Sequence, residues 1–136
     1  MKQLEVIAAH QVPMEEVENF ILQAEHVDLK ALLTEGYVVK MYGTIQGCFV
    51  LSTMEKDILW LKQLHIMQPF ARYLPVLLEI ILQMTKEKQA KKLYVHSHQT
   101  AIDLLLDALQ FHLQNDLLAL EKYRRQSGNW WAYDVS

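Results

Sequence analysis

Cysteine is nearly absent. Cys48 is the only one in 136 residues, which excludes an intramolecular disulfide and a zinc site built on several thiolates. A reducing, cytoplasmic compartment suits such a chain. An excess of charge of either sign is also missing: 13 Lys plus Arg stand against 16 Asp plus Glu, and the net charge of -3 offers no footprint for a nucleic-acid backbone. Long apolar runs are lacking too. The stretch from 74 to 84 is broken by Glu79 and leads into Lys86, too short and too polar to span a bilayer, so no membrane partner is expected. The opening MKQLEVIAAHQVPMEE has one lysine and a brief apolar patch before Glu15 and Glu16, so no secretory signal is expected. No Gly/Ser linker, low-complexity tract or internal repeat divides the chain, and residues 1–136 are expected to form a single domain.

What is present is core-forming material. Hydrophobic residues make up 51% and charged residues 21%, which excludes disorder. Residues 3–9 read as a strand, and Val17, Phe20, Ile21 and Ala24 after Pro13 fall at helical spacing. Asp28 is positioned to cap a second short helix, ended at Gly36 by glycine's tolerance of left-handed backbone. Residues 37–51 predict a hairpin turning at Gly43-Thr44-Ile45-Gln46, and 58–67 predict a central strand. Leu77, Leu78, Ile81 and Met84 define one face of a long helix with Pro75 in its first turn. Lys92 to His98 then reads as a strand, and Thr100 as the cap of a helix through Leu109, with Asp103 completing a capping box. Residues 116–125 fit helix or strand, Ser127-Gly128-Asn129 a turn, and WWAYDV a last strand closing a hairpin. A strand, crossover helix and strand favour a parallel pair, so the class is α/β, with an α+β mixed sheet flanked by helices.

This order resembles the GNAT family of N-acetyltransferases over nearly the whole chain. The stretches that carry the resemblance are Gly47 with Phe49 in the second hairpin strand, Leu109-Gln110-Phe111 where the family usually has Leu-Gly-Phe, and WWAYDV as the last strand. The resemblance implies a gap between two central parallel strands, here Leu64 to Met67 and Tyr94 to His98, in which the pantetheine arm of acetyl-CoA or another CoA species pairs with strand backbone. It implies cofactor contacts from Leu64, His65, Ile66, Met67, Ala71, Arg72 and Tyr73. The family follows the first of these strands with an Arg/Gln-x-x-Gly-x-Gly/Ala loop, whose glycines let N–H groups reach a pyrophosphate. This chain has QPFARYLP instead, without glycine, and Arg72 is its only arginine, able to contact phosphate bidentately. The family's tyrosine acid is replaced by Leu105 or Leu106, and its strand glutamate by Lys62 or Gln63.

His96 and His98 stand two apart on one face of a strand, but two histidines without a third ligand make an incomplete metal site, and no metal is expected. His98 or His65 is the candidate general base. Cys48, mid-strand, is expected to behave as a small hydrophobe. Trp130 and Trp131 are adjacent in a strand and face opposite sides, leaving one for the core and the other for a homodimer contact or a ligand surface. Two functions remain open. One is acyl transfer from acetyl-CoA to an amine of a small molecule or a protein; the other is a catalytically inactive domain of the same fold acting as a binding or regulatory module.

Overall fold

A computed structural model describes residues 4–24, 27–97, 99–114 and 128–135. Among them are seven strands and four α-helices: β1 (Leu4–Ala8), α1 (Met14–Gln23), α2 (Leu29–Glu35), β2 (Gly36–Met41), β3 (Thr44–Glu55), β4 (Ile58–Ile66), α3 (Leu74–Glu87), β5 (Lys92–Ser97), α4 (Thr100–Ala108), β6 (His112–Leu113) and β7 (Asn129–Asp134). The strands form one mixed sheet in the order β1-β2-β3-β4-β5-β7-β6. Residues 116–125, left between helix and strand by the sequence, lie outside the described residues, as does His98. The chain divides into two compact units, Met1–Ser52 with Leu61–Leu77 and Thr53–Trp60 with Leu78–Ser136, so that β3 and β4 run through both.

In the first unit Pro13 precedes α1, whose first turn carries Glu15 and Glu16 where the helix dipole favours negative charge. Its Val17 and Phe20 are buried with Leu32 of α2 and with Val38, Cys48 and Val50 of the hairpin. Asp28 caps α2, its carboxylate accepting the Lys30 N–H at 3.0 Å. Gly36 follows α2 for a different reason from the one expected. Its backbone is extended, with φ −109°, and no left-handed cap forms; glycine is required because a Cβ would run into the Leu32 carbonyl. The hairpin turn also differs. It is the two-residue Tyr42-Gly43, with φ of 54° and 85°, and Thr44 already belongs to β3. Positive φ at both central residues matches the twist of the flanking strands, although a tyrosine is a costly occupant. Beyond the turn the register slips between Val39 and Lys40, which pair with Gly47 and Ile45, leaving Gln46 as a bulge.

In the second unit β5 lies antiparallel to β7, Tyr94 opposite Ala132 and His96 opposite Trp130, and the short β6 pairs with the other edge of β7; the closing hairpin expected of 116–125 with β7 involves residues outside those described. Leu93, Tyr94 and Val95 are all buried, the pattern of a strand covered on both faces. Tyr94, Trp130 and Ala132 cluster with Met54, Ile58 and Trp60. Both adjacent tryptophans are interior, Trp130 at 3% and Trp131 at 7% exposure, so neither supplies the exposed surface expected of one of them. Trp131 is tied down by Asp103, whose carboxylate accepts the indole N–H at 2.7 Å and the Asn129 amide at 3.1 Å. Asp103 therefore makes a tertiary anchor, while Gln99 is the N-cap of α4 and no side chain caps it. The helix ends in a Schellman motif. Phe111 N–H reaches the Leu106 carbonyl at 2.9 Å and Gln110 N–H that of Asp107 at 3.1 Å, with Gln110 at φ 72°.

Candidate functional site

The residues singled out for a cofactor gather in the first unit, along the later half of β4 and the turn after it. Gln63 interrupts β4 with φ 54°, a left-handed residue inside a strand. Its side chain explains how this is held: Oε1 accepts the Asp28 N–H at 2.7 Å, at the start of α2, while its carbonyl receives the Cys48 thiol at 3.6 Å. Leu64, His65, Ile66 and Met67 follow, all half-buried. The His65 carbonyl lies so close to Gly47 that a Cβ there would sit at 2.8 Å, which ties the glycine of the hairpin to this segment.

The His65 ring meets Phe20 edge-on, centroids 6.0 Å apart, and among the described residues its buried Nε2 has no hydrogen-bond partner. Burial lowers its pKa, so the ring is neutral at neutral pH and able in principle to accept a proton. The Cys48 thiol is pushed up to about 12 by burial, which removes it as a nucleophile.

After β4 the chain forms a 3-10 helix, Gln68–Tyr73, that leads directly into α3. Its donors close the turn: Phe70 N–H bonds the Met67 carbonyl at 2.8 Å, and Leu74 N–H that of Ala71. Ala71 and Arg72 are exposed and Tyr73 is half-buried. Arg72 donates to the Tyr73 hydroxyl at 3.3 Å, and its guanidinium carbon stands 5.0 Å from the Tyr73 ring centroid. The Tyr42 hydroxyl also bonds that of Tyr73. Hydrogen bonds from Arg72, and then from Tyr42, hold the Tyr73 phenol below its ordinary range, while the bond to Tyr73 raises that of Tyr42. Phe70 lies between them, its ring 6.3 Å from Tyr42 and 6.4 Å from Tyr73. Sequence reasoning named Arg72 and Tyr73 but missed Tyr42, thirty positions away; the available signal was Tyr-Gly at a hairpin tip where Asn-Gly is the cheap pair.

In the second unit His96 packs its ring on Trp130 at 5.0 Å. Leu106, one of the two positions where a tyrosine acid was sought, is fully buried. No three metal-ligating side chains converge among the described residues. An open groove of about 440 Å³ is lined by Glu79, Gln83, Lys86, Leu109 and Tyr133, among others, and includes none of the candidate residues. No described helix is long and apolar enough to cross a membrane.

The order of strands and helices is that of the GNAT acetyltransferase fold. Three solved structures are similar to this chain over almost their full lengths. A GNAT-family acetyltransferase from Staphylococcus aureus Mu50 aligns with a TM-score of 0.74 at 13% identity, covering 98% of this chain and 99% of that one. A GNAT-family acetyltransferase from Elizabethkingia anophelis with acetyl-CoA bound gives 0.68 at 17%, covering 98% and 99%. The ribosomal-protein-S18-alanine N-acetyltransferase from Escherichia coli gives 0.72 at 12%, covering 98% and 94%. At these identities the likeness is one of fold. No family model matches the sequence, and no curated protein does.

Proposed function

We propose that this chain is an N-acyltransferase that takes an acetyl group from acetyl-CoA, or an acyl group from another CoA species, and passes it to an amine of a small molecule or a protein. The observation that carries the reading is the near-complete, two-way match of fold to acetyltransferases, one of them solved with acetyl-CoA bound. In this reading the main chain of Leu64 to Met67 pairs with the pantetheine arm, and Ala71, Arg72 and Tyr73 lie at its phosphate end. The amine nitrogen attacks the thioester carbonyl, a neutral histidine, His65 or His98, takes the amine proton directly or through water, and the CoA thiolate leaves as the C–S bond breaks. With leucine at 105 and 106, no tyrosine there protonates the thiolate. The reading treats residues 1–136 as one domain working in the cytoplasm.

A second reading, a CoA-binding or regulatory module that transfers nothing, is favoured by the same leucines and by the 3-10 turn. That turn engages the Phe70 and Leu74 N–H groups internally instead of offering them to a phosphate. Calorimetry with acetyl-CoA at two salt concentrations, combined with a thiol-release assay on a panel of amines, separates the two. Binding is expected to be weak and salt-sensitive, and Arg72→Ala is expected to weaken it by roughly one to two orders of magnitude, the effect of losing a charge-assisted hydrogen bond. No heat with millimolar acetyl-CoA would overturn the transferase. Binding without thiol release would leave the module.

A further inference from the structure

Helix α3 buries Leu77, Leu78 and Ile81 completely, which fixes its inner face. On the opposite face Glu79, Gln83 and Lys86 are exposed, with Leu82 half-buried beside them. These four stand at i, i+3, i+4 and i+7 and so form one stripe along the helix. Together with Leu109 at the end of α4 and Tyr133 of β7 they line the open groove of about 440 Å³, which lies wholly within the second unit. The stripe is symmetric in its chemistry. Glu79 and Lys86 put opposite charges at its two ends, and the midpoint between them falls between Leu82 and Gln83. Among the described residues neither Glu79 nor Lys86 forms an ion pair. Two helical turns, about 10 Å along the axis, separate them, so salt screens each from the other.

An occupant that answers both ends must carry the same two charges in reverse order at that spacing. A single ion satisfies one end only, and a peptide of uniform charge is repelled by the other. A second copy of α3, run antiparallel, carries both. Glu79 then meets Lys86 of the partner subunit, Lys86 meets Glu79 of the partner subunit, and Leu82 and Gln83 flank the axis. A parallel copy would set like charge against like. We infer that this groove is the contact face of a symmetric homodimer, with two α3 helices antiparallel about a two-fold axis between Leu82 and Gln83. Each contact is made twice, as in any isologous interface. Leu82, Leu109 and Tyr133 supply the apolar centre, and the two charge pairs supply the rim. The groove is small beside a standard interface, so the dimer is weak and reversible, and charge sets its register more than its strength. Nothing in this inference depends on the acyl-CoA reading.

Sedimentation equilibrium tests it on the parent, Glu79→Lys, Lys86→Glu, the chain carrying both reversals, and an equimolar mixture of the two single variants. The altered positions are exposed, and circular dichroism checks that each variant is folded. The parent is expected to dimerise, less so at high salt. Each single reversal turns two attractive pairs into two repulsive ones and is expected to weaken the dimer about tenfold or more. The double reversal restores both pairs and is expected to dimerise as the parent does. The mixture is expected to form a heterodimer, because the two altered ends face each other and the two native ends do likewise. Such recovery cannot arise within one helix, where the two positions are too far apart to pair. A parent that stays monomeric at millimolar concentration would overturn the inference. So would a dimer indifferent to both reversals, which places the interface elsewhere, or reversals that weaken it without recovery on mixing.

Discussion

The hairpin tip at Tyr42-Gly43 and the helix end at Leu109-Gln110 both turn the chain through left-handed backbone on a residue with a side chain, and they settle the strain differently. At Gln110 the turn is closed from both sides. Two backbone hydrogen bonds close the Schellman motif, and Leu106 and Phe111, the residues flanking it, are almost fully buried at 0% and 2%. The conformation costs roughly 1–2 kcal/mol on a non-glycine residue, and the burial of Phe111 is large enough to offset it. At Tyr42 no comparable burial exists. The ring is mostly exposed, and it meets Phe70 and Tyr73, themselves only half-buried. Strain compensated by packing belongs to the architecture; strain left exposed points to something outside the fold.

Glycine can also be required by space alone, with no strained dihedral angle. Gly47 has no left-handed φ, but a Cβ would approach the His65 carbonyl to 2.8 Å and the Val39 side chain to 3.5 Å. Backbone of a neighbouring strand cannot swing aside as a side chain can. Gly47→Val is therefore expected to destabilise by about 3 kcal/mol, at the upper end of overpacking effects. A urea midpoint equal to the parent's would remove the close approach of β3 and β4 from the argument.

Next in size is the anchor of α4. If the helix end at Gln110 is held by the fold, the rest of the helix should be held as well, and Asp103 is the residue doing so through Trp131 and Asn129. Asp103→Ala leaves a nearly buried indole N–H without its acceptor and is expected to cost about 1.5–3 kcal/mol. Asp103→Asn, which retains an oxygen for the indole, is expected to recover part of that loss. Near-UV circular dichroism should report the released tryptophan. Equal stability of both variants and the parent would break the contrast between a supported helix end and an unsupported hairpin tip.

How much of this was legible beforehand follows the range of the interactions. Apolar periodicity placed α1 through Val17 and Phe20, and the β-branched residues from 37 to 51 placed the hairpin, because these signals lie within a few positions of one another. The hairpin turn was read two residues late, since no propensity rule puts tyrosine in left-handed backbone. Asp103 was read as a cap because its partners, Asn129 and Trp131, are more than twenty-five positions away. Residues 68–73 read as a loop, whereas they form a 3-10 helix closed by the Phe70 and Leu74 N–H groups, an arrangement no local pattern announces. For the site, Arg72 and Tyr73 could be named from the sequence. Their joining to Tyr42 through a hydroxyl pair could not, because periodicity carries no information about contacts between separate turns.

The smallest effects bear on the comparison most directly, because they have a sign. Gln110 occupies the position where glycine would hold φ 72° without steric penalty. Gln110→Gly should therefore stabilise, but by less than the full strain, because glycine also loosens the unfolded chain by about 0.4–1 kcal/mol. A net gain of about 0.5–1 kcal/mol is expected, the difference between those terms. Tyr42→Asn relieves the same kind of strain with a residue that brings less unfolded-state entropy than glycine, so its gain should match or exceed that of Gln110→Gly, unless the aromatic contacts to Phe70 and Tyr73 contribute more than their exposure suggests. Urea denaturation of the two single variants and the double variant measures this, since sites with no shared partners should add within about 0.5 kcal/mol. If Tyr42→Asn loses stability while Gln110→Gly gains it, the tyrosine is a structural clasp between two turns, and the reason for its strained backbone lies inside the fold after all.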